Sequence, residues 1–343
     1  MVNIPIVAIA LVAGKFLIPK SRDENPHRID LPGFLLSIIA VGSLVFTVIE
    51  SPIWGWGSFK SNAGFVIAVI AFAAFISAEK RNNEPLLDVR VFSNLRLSAA
   101  AGSIFIAFFC LFGFTFLVTQ YFQFVRGYPP LESGLRTLPF AVGAGVTSPL
   151  AARLALRFGP KRIVPIGLLL MGIAIIWVGT QDADSAYFGP IISSMVLMAC
   201  GLALVTSPSS ESVMGSLPRE MAGVGSAIND TSREVGGTLG VAIIGSVFAT
   251  TYGPKIVELL TPFNLPETAL SAAEESVGAA FAVSAQLGDA TLTDAIREIA
   301  SSAFLDGFQA ACTTVGVIAI LGSLLAYRFL PARMSFDMPK NQR

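Results

Sequence analysis

The chain has 343 residues, of which 53% are hydrophobic and only 13% charged, with a mean hydropathy of +0.70. Globular chains carry about 25% charged residues, so this composition is that of a membrane protein. The formal net charge is zero, so bulk charge argues for neither a nucleic-acid partner nor anionic lipid, and no nucleic-acid partner is expected; a single histidine with three cysteines lacking C-x-x-C spacing argues against metal or redox chemistry.

Apolar runs bounded by charged or Pro/Gly-containing segments predict nine helices, at 1–19, 31–53, 62–79, 97–120, 134–156, 161–180, 188–210, 222–250 and 301–330. The expected fold class is an all-α polytopic membrane protein with the lipid bilayer as its main partner. The segments 20–30, 79–96, 153–162, 215–222 and the tail from Arg328 hold sixteen lysines and arginines. The opposite segments hold five: Lys60, Arg126, Arg136, Lys255 and Arg297. The positive-inside rule then places the C-terminus in the cytoplasm and residue 1 outside; the expected location is the plasma (inner) membrane.

Helices 31–53 and 62–79 form a hairpin whose connection carries Trp54 and Trp56, suited to an interfacial aromatic belt. Glu50 reads as a solvated helix end. The polar segment 79–96, with Pro85, marks a boundary between two membrane units. In the next helix Phe105, Phe108, Phe109, Phe112 and Phe116 share one face. That stripe either lines a pocket for flat apolar ligands or packs on lipid or a neighbouring helix. Gln120, Tyr121 and Gln123 at its end either bind a ligand or sit at the interface.

The helix at 134–156 contains Pro139, Gly143, Gly145 and Pro149 and is expected to be bent or closely packed. It ends in Arg153, Arg157, Gly159, Lys161 and Arg162, a basic turn that anchors the chain and offers charges for pairing. Pro208 in a serine run suggests a broken end to the helix at 188–210, and Glu211 is placed to join a network with the helix that follows. In that helix Gly236 and Gly240 form a GxxxG pair suited to close packing. Just before it, Asn229, Asp230, Arg233 and Glu234 are spaced to meet at i+3 and i+4. Charge at the edge of the hydrocarbon is costly, so this cluster serves either as a structural network or as a gate beside a transport path. The segment 253–300 is expected to be an extracytoplasmic loop with two short amphipathic helices, 267–281 and 292–304, on the outer surface. No nucleophile–base pair, histidine cluster or acidic metal motif occurs, so neither enzymatic activity nor a metal or organic cofactor is expected.

Four stretches together resemble one family. Val2-Asn3-Ile4-Pro5-Ile6, Glu50 to Trp56, Arg153 to Arg162 and Gly223 to Gly245 are similar to motifs of the major facilitator superfamily, in particular its 14-helix drug–proton antiporters of the EmrB/QacA type. Val7, Ala152 and Leu156 depart from the residues usual there. The resemblance implies a proton-coupled exporter of amphipathic small molecules, with the proton gradient in place of a cofactor. It maps 1–19 onto the last helix of an N-terminal half that is otherwise expected to be missing. It maps 31–80 onto a linker hairpin, 97–331 onto the C-terminal six-helix half and 332–343 onto a cytoplasmic tail. Substrate in this fold binds between two halves, so a separate N-terminal half is an expected partner. The alternative is a non-transporting membrane scaffold or partner subunit.

Overall fold

The computed structural model describes residues 3–17, 30–82, 85, 87–218, 221–286 and 290–330. The 332–343 tail therefore lies outside the described residues, as do the ends of the 1–19 helix. Regular structure among the described residues is helical: α1 (Asn3–Leu17), α2 (Leu31–Trp54), α3 (Phe59–Arg81), α4 (Leu95–Gln120), α5 (Pro130–Arg136), α6 (Leu138–Phe158), α7 (Pro160–Gly179), α8 (Ile192–Met214), α9 (Ala222–Leu260), α10 (Glu267–Glu275), α11 (Val277–Gln286) and α12 (Ala290–Phe329). Eight stretches are long and apolar enough to cross a membrane, with α5 and α6 counted as one. The helix α1 has 15 described residues and adds an apolar rod with exposed Ile4, Ile9 and Leu11.

Local chemistry sets several helix ends. The Asp30 side chain accepts from Gly33 N at 2.9 Å and caps α2, Ser58 caps α3 and Asn94 caps α4, each satisfying an otherwise orphaned amide. The α2–α3 hairpin is held by small polar groups: Ser51 Oγ lies 3.2 Å from Ser61 Oγ, and Ser61 donates to the Gly55 carbonyl at 2.9 Å. Trp54 and Trp56 take ring partners from the same hairpin, Phe46 and Phe65. Between α6 and α7 the chain turns at Gly159, whose φ of 80° favours glycine, and Pro160 then opens α7.

The core lies where α4, α7, α8, α9 and α12 meet. The helix α7 is the most enclosed span; α6 is the least, with Leu138, Val142, Val146 and Leu150 exposed along one side.

The 253–300 stretch corrects the sequence reading. The helix predicted to end at 250 runs on to Leu260, and the one predicted to start at 301 starts at Ala290. The expected second amphipathic helix is thus the first part of α12. At 39 residues, α9 is about 58 Å long, far more than the ~30 Å of a hydrocarbon core. Its projecting end, the start of α12 and the short helices α10 and α11 bury Ile256, Leu260, Ala273, Val277, Ala280, Ile296 and Ala300. Tyr252 donates to the Ala273 carbonyl at 3.0 Å and ties α9 to α10. Burial of these side chains carries α9 through Gly253-Pro254, where local signals call for a stop.

Candidate functional site

On α9 the GxxxG pair does what its composition predicts. A methyl group at Gly236 would run into the Phe105 carbonyl, and one at Gly240 into the Phe109 carbonyl, so backbone of α4 fills the space a side chain would need. Gly237 lies under the ring of Phe112. The backbone at Phe105 and Phe109 of the phenylalanine stripe therefore closes on α9, whereas Phe112 and Phe116, 42% and 37% exposed, lie at the open edge of this α4–α9 seam.

The charged cluster is looser. Arg233 and Asp230 are 3.9 Å apart with side chains 37% and 66% exposed, and Glu234 is also exposed. An exposed pair at that distance contributes well under about 1 kcal/mol. The Arg233 guanidinium lies 5.3 Å from the ring centre of Phe108, and its Nε is buried without a hydrogen-bond partner. Asn229 accepts from Ser210 at 2.8 Å, so Ser210 is the link from α8 to α9; Glu211 is exposed and outside that network. Among the described residues, Arg153, Arg157, Lys161 and Arg162 form no ion pair. Arg157 and Lys161 instead lie 5.2 and 5.6 Å from the rings of Phe158 and Tyr327.

At the other end of α4 the helix widens into one π turn, Tyr121–Val125, closed by Arg126 N to the Tyr121 carbonyl at 3.0 Å. Such turns recur at functional sites. Tyr121 points inward: it is buried, stacks on Phe308 at 5.5 Å and donates to the Asp182 carbonyl at 2.7 Å. Tyr121 is thus a structural pin. Gln120, half-buried, is outside the cleft described next.

Gln123 lines that cleft. A cavity of about 330 Å³ lies between α4 and the α5–α6 segment, with Met195 of α8 at its back. From α4 and its π turn come Phe114, Thr115, Thr119 and Phe122; from α5–α6 come Ser133, Thr137 and Phe140. Phe114 and Phe140 stack at 6.5 Å with an interplanar angle of 26°. Phe114 and Phe122 escaped the sequence reading because it followed a different face of α4, and Phe140 because it stands on another helix, α6. The signal was present: Phe114, Thr115, Val118, Thr119, Phe122 and Gln123 recur at helical spacing.

Beside the cleft sits a cationic–aromatic clamp. The Arg136 guanidinium is 4.0 Å from the ring centre of Tyr128 and 4.6 Å from that of Tyr187, and pairs with Glu132 at 2.6 Å. Tyr187 returns a hydrogen bond to the Arg136 carbonyl at 2.8 Å. Arg126 donates to the carbonyls of Ala183 and Ser185 and to the Tyr128 hydroxyl. Burial pulls its pKa down, but the bond to Tyr128 and the nearby tyrosines outweigh this and hold it above the ordinary value. The clamp fixes the α7–α8 connection over the α4–α5 connection.

The model of the Major Facilitator Superfamily matches residues 1–241. The chain belongs to this superfamily. As a member it is a multi-pass membrane protein of a transporter family. It is 31% identical over 95% of its length to the tetracenomycin C resistance and export protein of Streptomyces glaucescens, covering 61% of that protein. It is 34% identical over 72% of its length to the multidrug resistance protein Stp of Mycobacterium tuberculosis H37Rv, covering 46% of it. It is 29% identical over 94% of its length to the multidrug efflux pump LfrA of Mycolicibacterium smegmatis, covering 64% of it. The chain thus spans roughly half to two thirds of these relatives.

Proposed function

We propose that this chain forms the later part of a proton-coupled exporter of drugs or other amphipathic small molecules, of the 14-helix EmrB/QacA type. The observation that carries the reading is the 31% identity, across 95% of the chain, to a resistance and export protein. In this reading α4 to α12 make up the C-terminal six-helix half, α2 and α3 the inserted hairpin, and α1 the last helix of the first half. The cleft between α4 and α6 is one wall of a substrate path that a second half completes. The exposed carboxylates Asp230 and Glu234 support it, because such an edge fits a polar partner or water better than lipid. Proton exchange then falls to carboxylates at the interface between halves. The basic residues in 20–30, 79–96, 153–162 and the tail favour a cytoplasmic C-terminus, and an exporter of this kind belongs in the plasma membrane.

The test is dye efflux from cells lacking their own exporters, with this chain expressed alone and together with the first half of a close relative. Dye should leave the cells only in the paired strain, and addition of a protonophore should stop it. Efflux that survives the protonophore would remove proton coupling from the reading. Equal dye retention in paired and empty strains would remove export itself.

A further inference from the structure

The α4–α6 cleft carries a chemical signature of its own, which builds on the reading that it belongs to the substrate path. Its hydroxyl groups have already committed their hydrogens. Thr115 donates to the Leu111 carbonyl at 2.8 Å, Thr119 to Thr115 at 2.7 Å, Thr137 to Gly134 at 2.7 Å and Ser133 to Tyr128 at 3.3 Å. What these groups still offer is oxygen lone pairs. The Gln123 amide makes no hydrogen bond among the described residues and adds a further acceptor with two donors. The cleft is therefore rich in acceptors and poor in donors.

No ionisable side chain lines it among the described residues. The nearest charges along the chain are spent elsewhere: Glu132 and Arg136 pair with each other at 2.6 Å, and Arg136 lies against Tyr128 and Tyr187. An organic cation entering here would meet oxygen lone pairs and an aromatic group but no carboxylate from this wall, so charge alone does not decide what the cleft takes. Flat apolar matter meets the half-buried ring of Phe140, behind which Phe114 and Phe122 are buried. The volume of about 330 Å³ falls at the lower end of drug-sized ligand sites.

We propose that the cleft takes a flat amphiphile that donates hydrogen bonds, its apolar face against Phe140 and its hydroxyl or amide hydrogens on Gln123 and the threonine oxygens. The site thus selects by donor count.

The test uses the purified chain in lipid nanodiscs and equilibrium dialysis with two probes, each corrected for uptake by empty nanodiscs. Estradiol is uncharged and bears hydroxyl donors; its dimethyl ether keeps the shape and loses the donors. Estradiol should bind about tenfold more tightly than its ether, the loss expected for a hydrogen bond or so left unmade. Gln123→Leu should weaken estradiol by about tenfold with an unchanged melting temperature, and Ala141→Trp, which fills the cleft, should abolish its binding. Ether binding as tight as estradiol overturns the proposal. If that equal binding is still abolished by Ala141→Trp, the cleft stands as a site and only the ligand class falls. If a folded Ala141→Trp protein binds estradiol as before, the cleft reading itself falls.

Discussion

On the side of α4 that faces α9, glycine meets backbone carbonyl and phenylalanine ring, and no room is left. On the side that faces α6, Thr115, Thr119 and the half-buried Phe140 stand around an open cleft, with Phe114 and Phe122 buried behind it. Both faces draw on the same aromatic-rich helix. What separates them is the partner: α9 presents Gly236, Gly237 and Gly240 and lets the helices close, whereas the α5–α6 segment brings Ser133, Thr137 and Phe140, and side chains hold it off. In lipid, where burial of apolar surface drives no association between helices, packing of this kind decides which contact is rigid. A seam on one side and a cavity on the other let one helix anchor the half and shape its candidate binding wall.

The largest effect should come from breaking the seam. Gly240→Val drives a branched side chain into the Phe109 carbonyl, and overpacking of this sort costs about 1–3 kcal/mol or more. A sharp drop in melting temperature in detergent, or failure to purify a monodisperse protein, is the expected result. Gly245→Ala is the sharpening control: its nearest neighbour is a Phe116 ring carbon at 4.0 Å, so melting should not move. If both variants melt alike, close approach does not hold α4 to α9.

The opposite face should respond in function before stability. Phe140→Ala removes one ring from a half-buried wall of the cleft. Stability should fall by about 1 kcal/mol, below the 3–5 kcal/mol of a fully buried aromatic, while ligand binding drops far more. A Phe140→Ala protein that loses stability and binding in step would show the cleft to be an extension of the core.

The clamp beside the cleft comes next. Arg136→Gln removes two ring contacts and the pair with Glu132, at about 0.5–1 kcal/mol for each exposed cation–π contact. A melting shift matching about 1–2 kcal/mol is expected, and Arg136→Lys should restore only part of it, because a point charge does not stack as guanidinium does. The smallest effect belongs to Asp230→Asn. The pair with Arg233 is long and open to solvent, so melting should move by less than about 0.5 kcal/mol. Efflux by the paired halves then separates the two roles set out for this cluster: unchanged export leaves it structural, and loss of export at unchanged stability makes it part of the coupling machinery.

Much of this architecture was legible in the chain. The order of apolar spans, the turn at Gly159-Pro160 and the GxxxG seam follow from local composition, since each depends on the residues at that place and on the solvent they require. The candidate site was legible only in part. Gln123 was picked out, but Tyr121 beside it turns inward to Asp182, and Ser210 holds Asn229 where Glu211 was the expected partner. Periodicity names the residues that share a face; it does not name the helix which that face meets. The tertiary structure alone decided that the backbone at Phe105 and Phe109 closes a seam with Phe112 and Phe116 at its open edge, while Phe114 and Phe122 are buried behind a cleft. It also carried α9 and α12 past their local stop signals, because Ile256, Leu260 and Ile296 gain burial only once α10 and α11 have folded over them.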